Sequence, residues 1–472
     1  MIFEDILEKI GVFGRYQQRL YLALCLRTFC SAMITLMHVF LAGEMDHWCQ
    51  TPELDIVNCT KWSLDKDQCI EAKRSVAIPP AGSDSSYEYE NCKRYNLTGI
   101  EPSDWFPGWV TSDVTNDTLQ CDAGWVYDTS QFKTSIVTDF DLVCNKKSLP
   151  DLAQSMYFVG VLFSSTFVGA FSDNLLSESP RWLLSKGRIT EAQRVIRRIA
   201  KVNKKDLPDE FFNNLELHEQ EKPQEKSDKQ PNVFYLFRYP YLRLKTITLM
   251  FIWFITTLVY YGLSLSSGDL GVDFYVSFFV SGAVEIPAYL YVMFALDWFG
   301  RKPNLCGSLV LGGIACLLTL LIKSGVWKTV VAMIGKFAIT ITFAIVFIFT
   351  TEQFPTVVRN VGLGMCSAFG RVGSVSAPLI FIISEFWEPL PFVVFGVLSI
   401  AGGLASLILP ETKGKNLPET IEEGEQFGKK PDMLSDDQAD DKNTSINIPE
   451  PANGSHHKVQ APESINEAYI PE

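Results

Sequence analysis

Charged residues are almost absent from eight stretches of this 472-residue chain, each roughly 18 to 24 residues long. The sequence also lacks the spacing of a nucleophile triad, a phosphate-binding loop or a set of metal ligands. The first apolar stretch lies too far from the N terminus to act as a cleavable signal peptide. These absences exclude a soluble enzyme, a nucleic-acid-binding protein and a secreted protein, and the sequence predicts neither a cofactor nor a bound metal.

The eight uncharged stretches are each long enough to cross a bilayer core of about 30 Å as a helix. The sequence therefore predicts an all-α membrane protein whose partner is the lipid bilayer, with eight transmembrane helices. The predicted helices cover residues 20–42, 152–171, 246–266, 274–296, 304–322, 329–351, 361–383 and 391–409.

Charge indicates which polar segments face the cytosol. The segment 174–245 carries 15 Lys and Arg against 10 Asp and Glu, whereas the segment 43–150 carries 9 against 18. Basic residues are enriched on the cytoplasmic side of membrane proteins. We therefore expect 1–19 and 174–245 in the cytosol and 43–150 outside the cell. The tail 410–472, rich in Asp, Pro, Asn and Ser, is expected to be cytosolic, acidic and disordered.

Cysteines and glycosylation sequons support this orientation. Six of the eleven cysteines lie in 43–150, and none lies in 174–245 or in the tail. An even number in one polar loop fits a disulfide framework formed in an oxidising compartment, and six cysteines allow 15 pairings. The predicted disulfide residues are Cys49, Cys59, Cys69, Cys92, Cys121 and Cys144. The predicted glycosylation sites in the same loop are Asn58, Asn96 and Asn116.

Three short motifs on the predicted cytosolic side combine acidic and basic residues. The turn 297–302 reads Asp-Trp-Phe-Gly-Arg-Lys, 352–360 reads Glu-Gln-Phe-Pro-Thr-Val-Val-Arg-Asn, and 410–414 reads Pro-Glu-Thr-Lys-Gly. Such clusters are usually solvated loop charges, but here they follow three helices on one side of the membrane. We interpret them as pairs that hold this side closed and break when it opens. The predicted gating residues are Asp297, Gly300, Arg301, Lys302, Glu352, Arg359 and Glu411.

The turn 297–302 resembles the inter-helix motif of the major facilitator superfamily. Other features are similar to the organic cation, carnitine and anion transporters of solute carrier family 22. These are the six-cysteine loop and the segments 11–17 (Gly-Val-Phe-Gly-Arg-Tyr-Gln), 178–188 (Glu-Ser-Pro-Arg-Trp-Leu-Leu-Ser-Lys-Gly-Arg), 351–360 and 409–420. The resemblance implies twelve helices in two halves of six, with alternating access around a central site in the plasma membrane.

The chain departs from that plan after its second helix. In the family, a Gly-x-x-x-Asp-Arg-x-Gly-Arg-Arg motif ends the second helix, and four more helices precede the Glu-Ser-Pro-Arg-Trp segment. Here Gly-Ala-Phe-Ser-Asp at 169–173 is followed at once by Asn-Leu-Leu-Ser and that segment. The sequence thus predicts a major facilitator fold with an incomplete N-terminal half, without the third to sixth helices, and a complete six-helix C-terminal half at 246–409. An exon-skipped isoform or an incorrectly joined gene would account for the difference.

Arg371 lies near the middle of the seventh predicted helix, where a charge costs several kcal/mol unless it faces a cavity or a partner. It is the strongest candidate for substrate binding, and the alternative is a buried pair with Glu285 or Glu352. The resemblance implies that cation transporters carry an acid here, whereas anion and carnitine transporters carry Arg. A substrate with a carboxylate, held bidentately by the guanidinium, is therefore favoured. Lys336 would add positive potential, or would extend its amine to the outer interface.

Four further residues complete the candidate substrate-binding site. Glu285 lies in a Val-Glu-Ile-Pro motif, where it would balance a quaternary ammonium or carry a coupling ion, Na⁺ or H⁺. The alternative reason for this motif is a helix kink at Pro287. Trp253, Tyr260 and Tyr261 would face a bound cation with their rings, or would serve as packing and interface residues.

Two functions from different classes fit these features. The first is a secondary-active transporter of small organic ions that favours a carnitine-like zwitterion or an organic anion. The second is a truncated isoform that does not transport, binds a full-length relative and stays in the endoplasmic reticulum. The family motifs and the intact C-terminal half favour the first function, whereas the missing helices favour the second.

Overall fold

The computed structural model describes the chain between residues 9 and 428, with gaps. The described residues are 9–11, 13–43, 45–55, 65–80, 89–98, 117–130, 132–175, 180, 183, 188–205, 207, 234–268, 273–322, 325–384, 386–387, 389–415, 417–418 and 420–428. Two predicted glycosylation sites, Asn58 and Asn116, and the predicted disulfide residue Cys59 lie outside these residues.

Helices make up most of the described chain. They are α1 (Arg15–Leu41), α2 (Pro52–Asp55), α3 (Lys66–Ala77), α4 (Ile136–Asp139), α5 (Leu149–Leu175), α6 (Ile189–Asn203), α7 (Phe234–Arg238), α8 (Pro240–Leu265), α9 (Phe274–Ala283), α10 (Glu285–Phe299), α11 (Arg301–Leu318), α12 (Val326–Gln353), α13 (Arg359–Ser384), α14 (Leu390–Ser406) and α15 (Ile421–Gln426). Four short strands lie between α1 and α4, namely β1 (His47–Cys49), β2 (Lys93–Tyr95), β3 (Thr118–Gln120) and β4 (Trp125–Tyr127).

Each predicted span contains a helix. Within the described residues, six segments are long and apolar enough to cross a membrane: Arg15–Leu41, Pro240–Gly268, Phe274–Phe299, Arg301–Leu321, Val326–Gln353 and Arg359–Ser384. The other two predicted spans hold α5 and the shorter apolar helix α14. Most helices begin earlier than predicted. Helix α8 begins at Pro240, because proline suits the first turn of a helix. Lys245 lies within the helix because its side chain is buried rather than solvated.

Helix α8 lies at the centre of the C-terminal half, packed against α12, α13 and α14. Its crossing with α13 is close because α13 has glycine where the backbones meet. A Cβ atom on Gly373 would lie 2.3 Å from the carbonyl oxygen of Phe254, well inside contact distance. The hydroxyl of Thr257 donates to the carbonyl oxygen of Gly370 at 2.5 Å and ties the two helices together. This crossing holds α13, and with it Arg371, against α8.

The span 274–299 is interrupted between α9 and α10. The interruption falls at Val284, so that Glu285 is the first residue of α10. Pro287 lies in the first turn of α10, where a missing N–H leaves no helical hydrogen bond unmade. Glu285 therefore sits at the positive end of a helix dipole, inside the predicted membrane region.

The two helices of the N-terminal half differ in their contacts. Helix α5 packs against α13, and its Phe158 is 1% exposed and lies 4.8 Å from the ring of Tyr261. In α1, by contrast, Val39 is the buried residue, and none of the most apolar window of this helix is buried, against 72% for the Pro240–Gly268 segment. Helix α1 touches α6 through Tyr16, α5 through a hydrogen bond between Thr35 and Tyr157, 2.9 Å long, and α9 through Phe40. Between these contacts, residues 18–34 of α1 are all exposed.

The segment 43–150, which we call the outer loop from its predicted side of the membrane, forms a small domain of helices and strands among its described residues. The all-α prediction therefore holds for the membrane helices and not for this segment. Strands β1 and β4 pair antiparallel, as do β2 and β3. Disulfides join Cys49 to Cys121 and Cys92 to Cys144, and Cys69 is also disulfide-bonded. Asn96, a predicted glycosylation site, directly follows β2 and is half-buried.

Residues at the two predicted cytosolic segments contact each other. Ile10 packs against Ile196 and Ile199 of α6. The side chain of Asn203, at the end of α6, accepts from the N–H of Tyr16 at 2.8 Å and donates to the carbonyl oxygen of Ile10 at 2.9 Å. The N-terminal segment and the segment 174–245 therefore meet at the same end of the helices.

The chain after the last membrane helix is ordered at first, which differs from the predicted disordered tail. We call residues 410–428 the C-terminal strap. Helix α15 lies within it, and Glu425 accepts from the N–H groups of Tyr241 and Leu242 at 3.0 and 2.8 Å. Lys245 donates to the carbonyl oxygens of Gly424 and Phe427. The prediction of disorder from residue 410 is wrong for the strap, because its acidic side chains bind unpaired helix N–H groups instead of water.

The contact at Gly373 provides a stability test. The substitution Gly373→Ala should lower the free energy of unfolding by about 1–3 kcal/mol, because the added methyl would collide with the α8 backbone. Gly364→Ala, on the same helix, is the matched control, since a Cβ there meets nothing within 4 Å. The apparent melting temperature of the purified chain in detergent reports both effects. A Gly373→Ala variant as stable as Gly364→Ala would contradict the close crossing.

Candidate functional site

A buried ion pair lies at the centre of the C-terminal half. The amine of Lys336, on α12, is 3.0 Å from a carboxylate oxygen of Glu285 on α10, and the Lys336 side chain is 3% exposed. The hydroxyl of Tyr260 on α8 donates to the same carboxylate at 2.7 Å. Lys336 also donates to the hydroxyl of Ser264 and lies 3.7 Å from the centre of the Tyr260 ring. Three helices thus contribute to one polar cluster, and Lys336 does not extend to the outer interface.

Arg371 lies on α13, next to this cluster but outside the pair. Its half-buried side chain lies beside the side chain of Tyr261 on α8. Among the residues that the structure describes, no carboxylate pairs with Arg371. The two acids considered for that role are engaged elsewhere, Glu285 with Lys336 and Glu352 with Arg301. The guanidinium therefore keeps donors available for a ligand.

Trp253 occupies a packing position. It is 1% exposed, and its indole N–H donates to the hydroxyl of Thr350 on α12 at 2.9 Å. Its ring stands edge-on to Phe347, with 4.5 Å between the ring centres. This is the packing role named above as the alternative, and Trp253 is separated from the aromatic pair Tyr260 and Tyr261, whose ring centres lie 5.3 Å apart.

The sequence-based prediction of the site did not include two residues of the cluster. Ser264 lies four residues after Tyr260, on the same face of α8, and Phe343 lies seven residues after Lys336, on the same face of α12. The ring of Phe343 is 4.8 Å from that of Tyr260. The helical spacing places both residues on the same faces as Tyr260 and Lys336. Serine and phenylalanine are common in membrane helices, however, so the spacing alone does not identify them as site residues.

The charged motifs converge at the other end of these helices. Glu411 of the C-terminal strap accepts from the N–H groups of Arg301 and Lys302, the first residues of α11, at 3.0 and 2.9 Å. It also accepts from the N–H groups of Thr412 and Lys413 at 3.0 Å. A carboxylate at the N terminus of a helix satisfies free donors and interacts favourably with the helix dipole. Glu411 thus caps α11 from a distant part of the chain.

Gly300 makes room for this cap. Its φ of 89° lies in the left-handed region, where glycine carries no steric cost, and a Cβ atom would lie 3.0 Å from the Glu411 carboxylate. Burial on its own would raise the pKa of Glu411. The four backbone N–H donors outweigh that effect, so the pKa of this carboxyl lies below its ordinary value.

Five of the predicted gating residues are brought together here, and two are not. The guanidinium of Arg301 lies 3.3 Å from a carboxylate oxygen of Glu352, which also accepts from the hydroxyl of Thr412. Arg359 instead donates to the carbonyl oxygen of Phe354 at 3.4 Å. Asp297 is exposed, and the described part of the chain gives it neither a hydrogen bond nor an ion pair. The network therefore joins α11, α12 and the C-terminal strap.

The Glu411 cap predicts a pH-dependent stability. Glu411→Gln should lower the free energy of unfolding by about 1–3 kcal/mol at pH 7, because a neutral amide accepts these N–H groups more weakly. Since the folded pKa is lowered, the stabilisation is present above the ordinary carboxyl pKa of about 4.3 and is lost as the pH falls through the folded value. Melting temperatures of wild type and variant at pH 7 and below pH 4 measure this.

The matched control for this test is Glu422→Gln, because Glu422 is an exposed residue of the same strap. We expect only a small loss, about 0.3 kcal/mol at pH 7, because Glu422 is an exposed acid in the first turn of α15. If both variants lost the same stability at pH 7, or if the difference for Glu411→Gln did not decrease as the pH was lowered stepwise through the folded pKa of Glu411, the capping role would be wrong.

Comparisons with known proteins agree with this architecture. A family profile described as sugar (and other) transporter matches residues 154–423. The chain is 33% identical to the organic cation transporter protein of Drosophila melanogaster, covering 91% of this chain and 96% of that one. It is 30% identical to solute carrier family 22 member 1 of Sus scrofa, covering 90% and 96%. The human solute carrier family 22 member 13 is 27% identical, with 89% and 93% covered.

A solved structure of the major facilitator proton:xylose symporter XylE is 17% identical over 60% of this chain and 66% of that chain, with a TM-score of 0.37. The alignment with the Drosophila organic cation transporter runs over 546 positions, but only 91% of this chain, about 430 residues, takes part in it. More than a hundred positions of that relative therefore have no counterpart here.

The resemblance found in the sequence motifs is thus confirmed by relatives that match along most of their length. They establish an integral membrane protein of the transporter class, whose substrates are organic ions, and not an enzyme. The chain belongs to solute carrier family 22, within the major facilitator superfamily.

Proposed function

We propose that the central cluster binds a small organic ion that carries a carboxylate, either a carnitine-like zwitterion or an organic anion. The observation that carries this proposal is the charge count of the cluster. Arg371 and Lys336 supply two positive charges, and Glu285, paired with Lys336, supplies one negative charge. One positive charge is left at Arg371 for a ligand. A guanidinium binds a carboxylate with two parallel hydrogen bonds, which favours it over a point anion.

The aromatic residues beside Arg371 suit the other end of a zwitterion. Tyr260 and Tyr261 lie between the two cationic side chains, and the Tyr260 ring already faces the amine of Lys336. A ring face that accepts a cation also accepts a quaternary ammonium. Glu285 is the acid through which Na⁺ or H⁺ would be coupled, because neutralising it would leave Lys336 unpaired and increase the attraction for an anion.

Ligand stabilisation of the purified chain tests the role of Arg371. We expect carnitine and a simple organic carboxylate to raise the melting temperature of the wild type. Arg371→Asp should weaken carboxylate binding by at least about tenfold and admit a simple cation such as tetraethylammonium, because the sign of the local charge is reversed. Lys328→Asp is the matched control, since it makes the same charge change on α12 near Phe392, outside the cluster. Equal carboxylate binding by Arg371→Asp would contradict the proposal.

A second function, binding to a full-length relative without transport, is favoured by what the chain lacks. Four membrane helices of about 20 residues with short connections amount to about a hundred residues, which agrees with the positions missing from the alignment. Alternating access requires two halves that rock about a shared site. The described helices of the N-terminal half are α1 and α5, and α1 has little contact with protein.

We therefore propose that the locus encodes an organic ion transporter of the plasma membrane, and that this chain is retained in the endoplasmic reticulum or associates with a full-length relative. The exposed residues 18–34 of α1 support association, because a helix surface that contacts no protein in one chain can pack against helices of another.

Transport assays separate these two functions. Cells that express this chain should take up labelled carnitine and tetraethylammonium at less than about a tenth of the rate given by a full-length relative, because one wall of the site is incomplete. Surface biotinylation corrects the rates for the amount of each protein at the plasma membrane. Saturable uptake comparable to that of the relative, at equal surface levels, would show that the missing helices are dispensable.

A further inference from the structure

His47 and a disulfide form a compact cluster in the outer loop. The Nε2 atom of His47, on β1, lies 4.0 Å from the Sγ atom of Cys144. The ligand atoms of His47, Cys92 and Cys144 all lie within 4.8 Å of one another, a spacing suited to a metal ion. Because the two sulfurs are bonded to each other, this cluster is not a set of metal ligands in the oxidised chain. Its chemistry is that of a disulfide next to an imidazole.

The two disulfides that the structure describes in full differ in their accessibility. In the Cys49–Cys121 bond, Cys49 is 1% exposed and packs in the core of the outer loop. In the Cys92–Cys144 bond, Cys92 is exposed and Cys144 is half-buried. A thiol from solution can therefore approach the sulfur of Cys92 directly. Attack there makes Cys144 the leaving group, and Cys144 is the sulfur beside His47.

The orientation of His47 is fixed by its other contacts. Its Nδ1 atom lies 3.1 Å from the carbonyl oxygen of Met45, an acceptor that holds the proton on Nδ1. Its ring stands against Trp125, with 5.6 Å between the ring centres. Nε2 is thereby directed at Cys144, where a protonated imidazole would stabilise a departing thiolate. A leaving thiolate that is stabilised leaves faster, which is a main determinant of the rate of disulfide exchange.

We propose that Cys92 is a modification site that exchanges with small thiols of the glutathione class, and that His47 assists by stabilising the Cys144 thiolate. The thiolate attacks the Sγ atom of Cys92, a mixed disulfide forms there, and the electron pair of the broken bond passes to Sγ of Cys144, next to the imidazolium. A second thiol then attacks the mixed disulfide and releases the oxidised small disulfide. Two thiols are oxidised in total, and one protein disulfide is reduced.

The position of this bond gives the exchange a structural consequence. Cys144 begins a short 3-10 turn, Cys144–Lys146, that leads into α5, while Cys92 directly precedes β2. The bond therefore fastens the outer loop to the start of a membrane helix. A cavity of about 280 Å³ lies beside it, lined among others by His38 of α1 and by His47, Asn91, Val143 and Lys147. Breaking the bond would remove a covalent constraint on the residues that line this cavity.

Thiol mapping on the purified full chain tests the proposal. Free cysteines are first blocked with a maleimide, reduced glutathione is added for increasing times, and newly exposed thiols are labelled with a second maleimide and identified by mass spectrometry. We expect Cys92 and Cys144 to become labelled at least about tenfold faster than Cys49 and Cys121. The glutathione adduct should appear on Cys92 and not on Cys144. Equal rates for the two disulfides, or an adduct mainly on Cys144, would overturn the assignment.

The variant His47→Phe tests the assisting role, because it keeps an aromatic ring against Trp125 and removes the imidazole. We expect it to slow labelling of Cys92 and Cys144 by about threefold or more, with the rate for Cys49 and Cys121 unchanged. That second rate serves as an internal control, because a loosened fold would accelerate both disulfides. Unchanged labelling of Cys92 in the variant would show that His47 has no part in the exchange.

Discussion

A positive charge within a membrane helix needs a counter-charge, a ligand or water, and two such charges organise the C-terminal half. Lys336 has its counter-charge in Glu285, which the break before α10 places at a helix N terminus. Arg371 has no carboxylate partner among the described residues and lies beside Tyr261, held against α8 by the close crossing at Gly373. One cation is thus paired and the other is not, and the proposed binding of a carboxylate rests on this difference.

The two remaining helices of the N-terminal half illustrate how packing depends on partners. Helix α5 finds one in α13, and its Phe158 is buried against Tyr261. The exposed part of helix α1 is mostly apolar but includes Arg27 within the predicted span. Apolar side chains can face lipid, whereas the guanidinium of Arg27 is unfavourable there. The arginine therefore adds to the free-energy cost of leaving this helix surface without protein contacts.

The amino-acid sequence predicts the positions of the membrane helices well, because long uncharged stretches have few alternatives to a spanning helix. It also identifies Arg371, Lys336 and Glu285 singly, since charges are rare in such stretches. Which acid pairs with which base does not follow from the sequence, because that depends on which helices are neighbours. Trp253 shows the same limit, as an aromatic residue that faces a ligand and one that faces a neighbouring helix look identical in sequence. The cap by Glu411 joins residues 110 apart along the chain and has no local pattern.

The C-terminal strap caps the N termini of two membrane helices, although it follows the last membrane helix in the chain. Glu411 caps α11 and Glu425 caps α8, yet both are translated after every membrane helix. During synthesis, α8 and α11 must therefore enter the membrane with these N–H groups bound to water. The C-terminal half can reach its final form only after residue 428 has left the ribosome. A stop codon shortly after α14 would therefore leave the described membrane helices in place and still remove both caps. Fusion partners belong beyond the strap for the same reason.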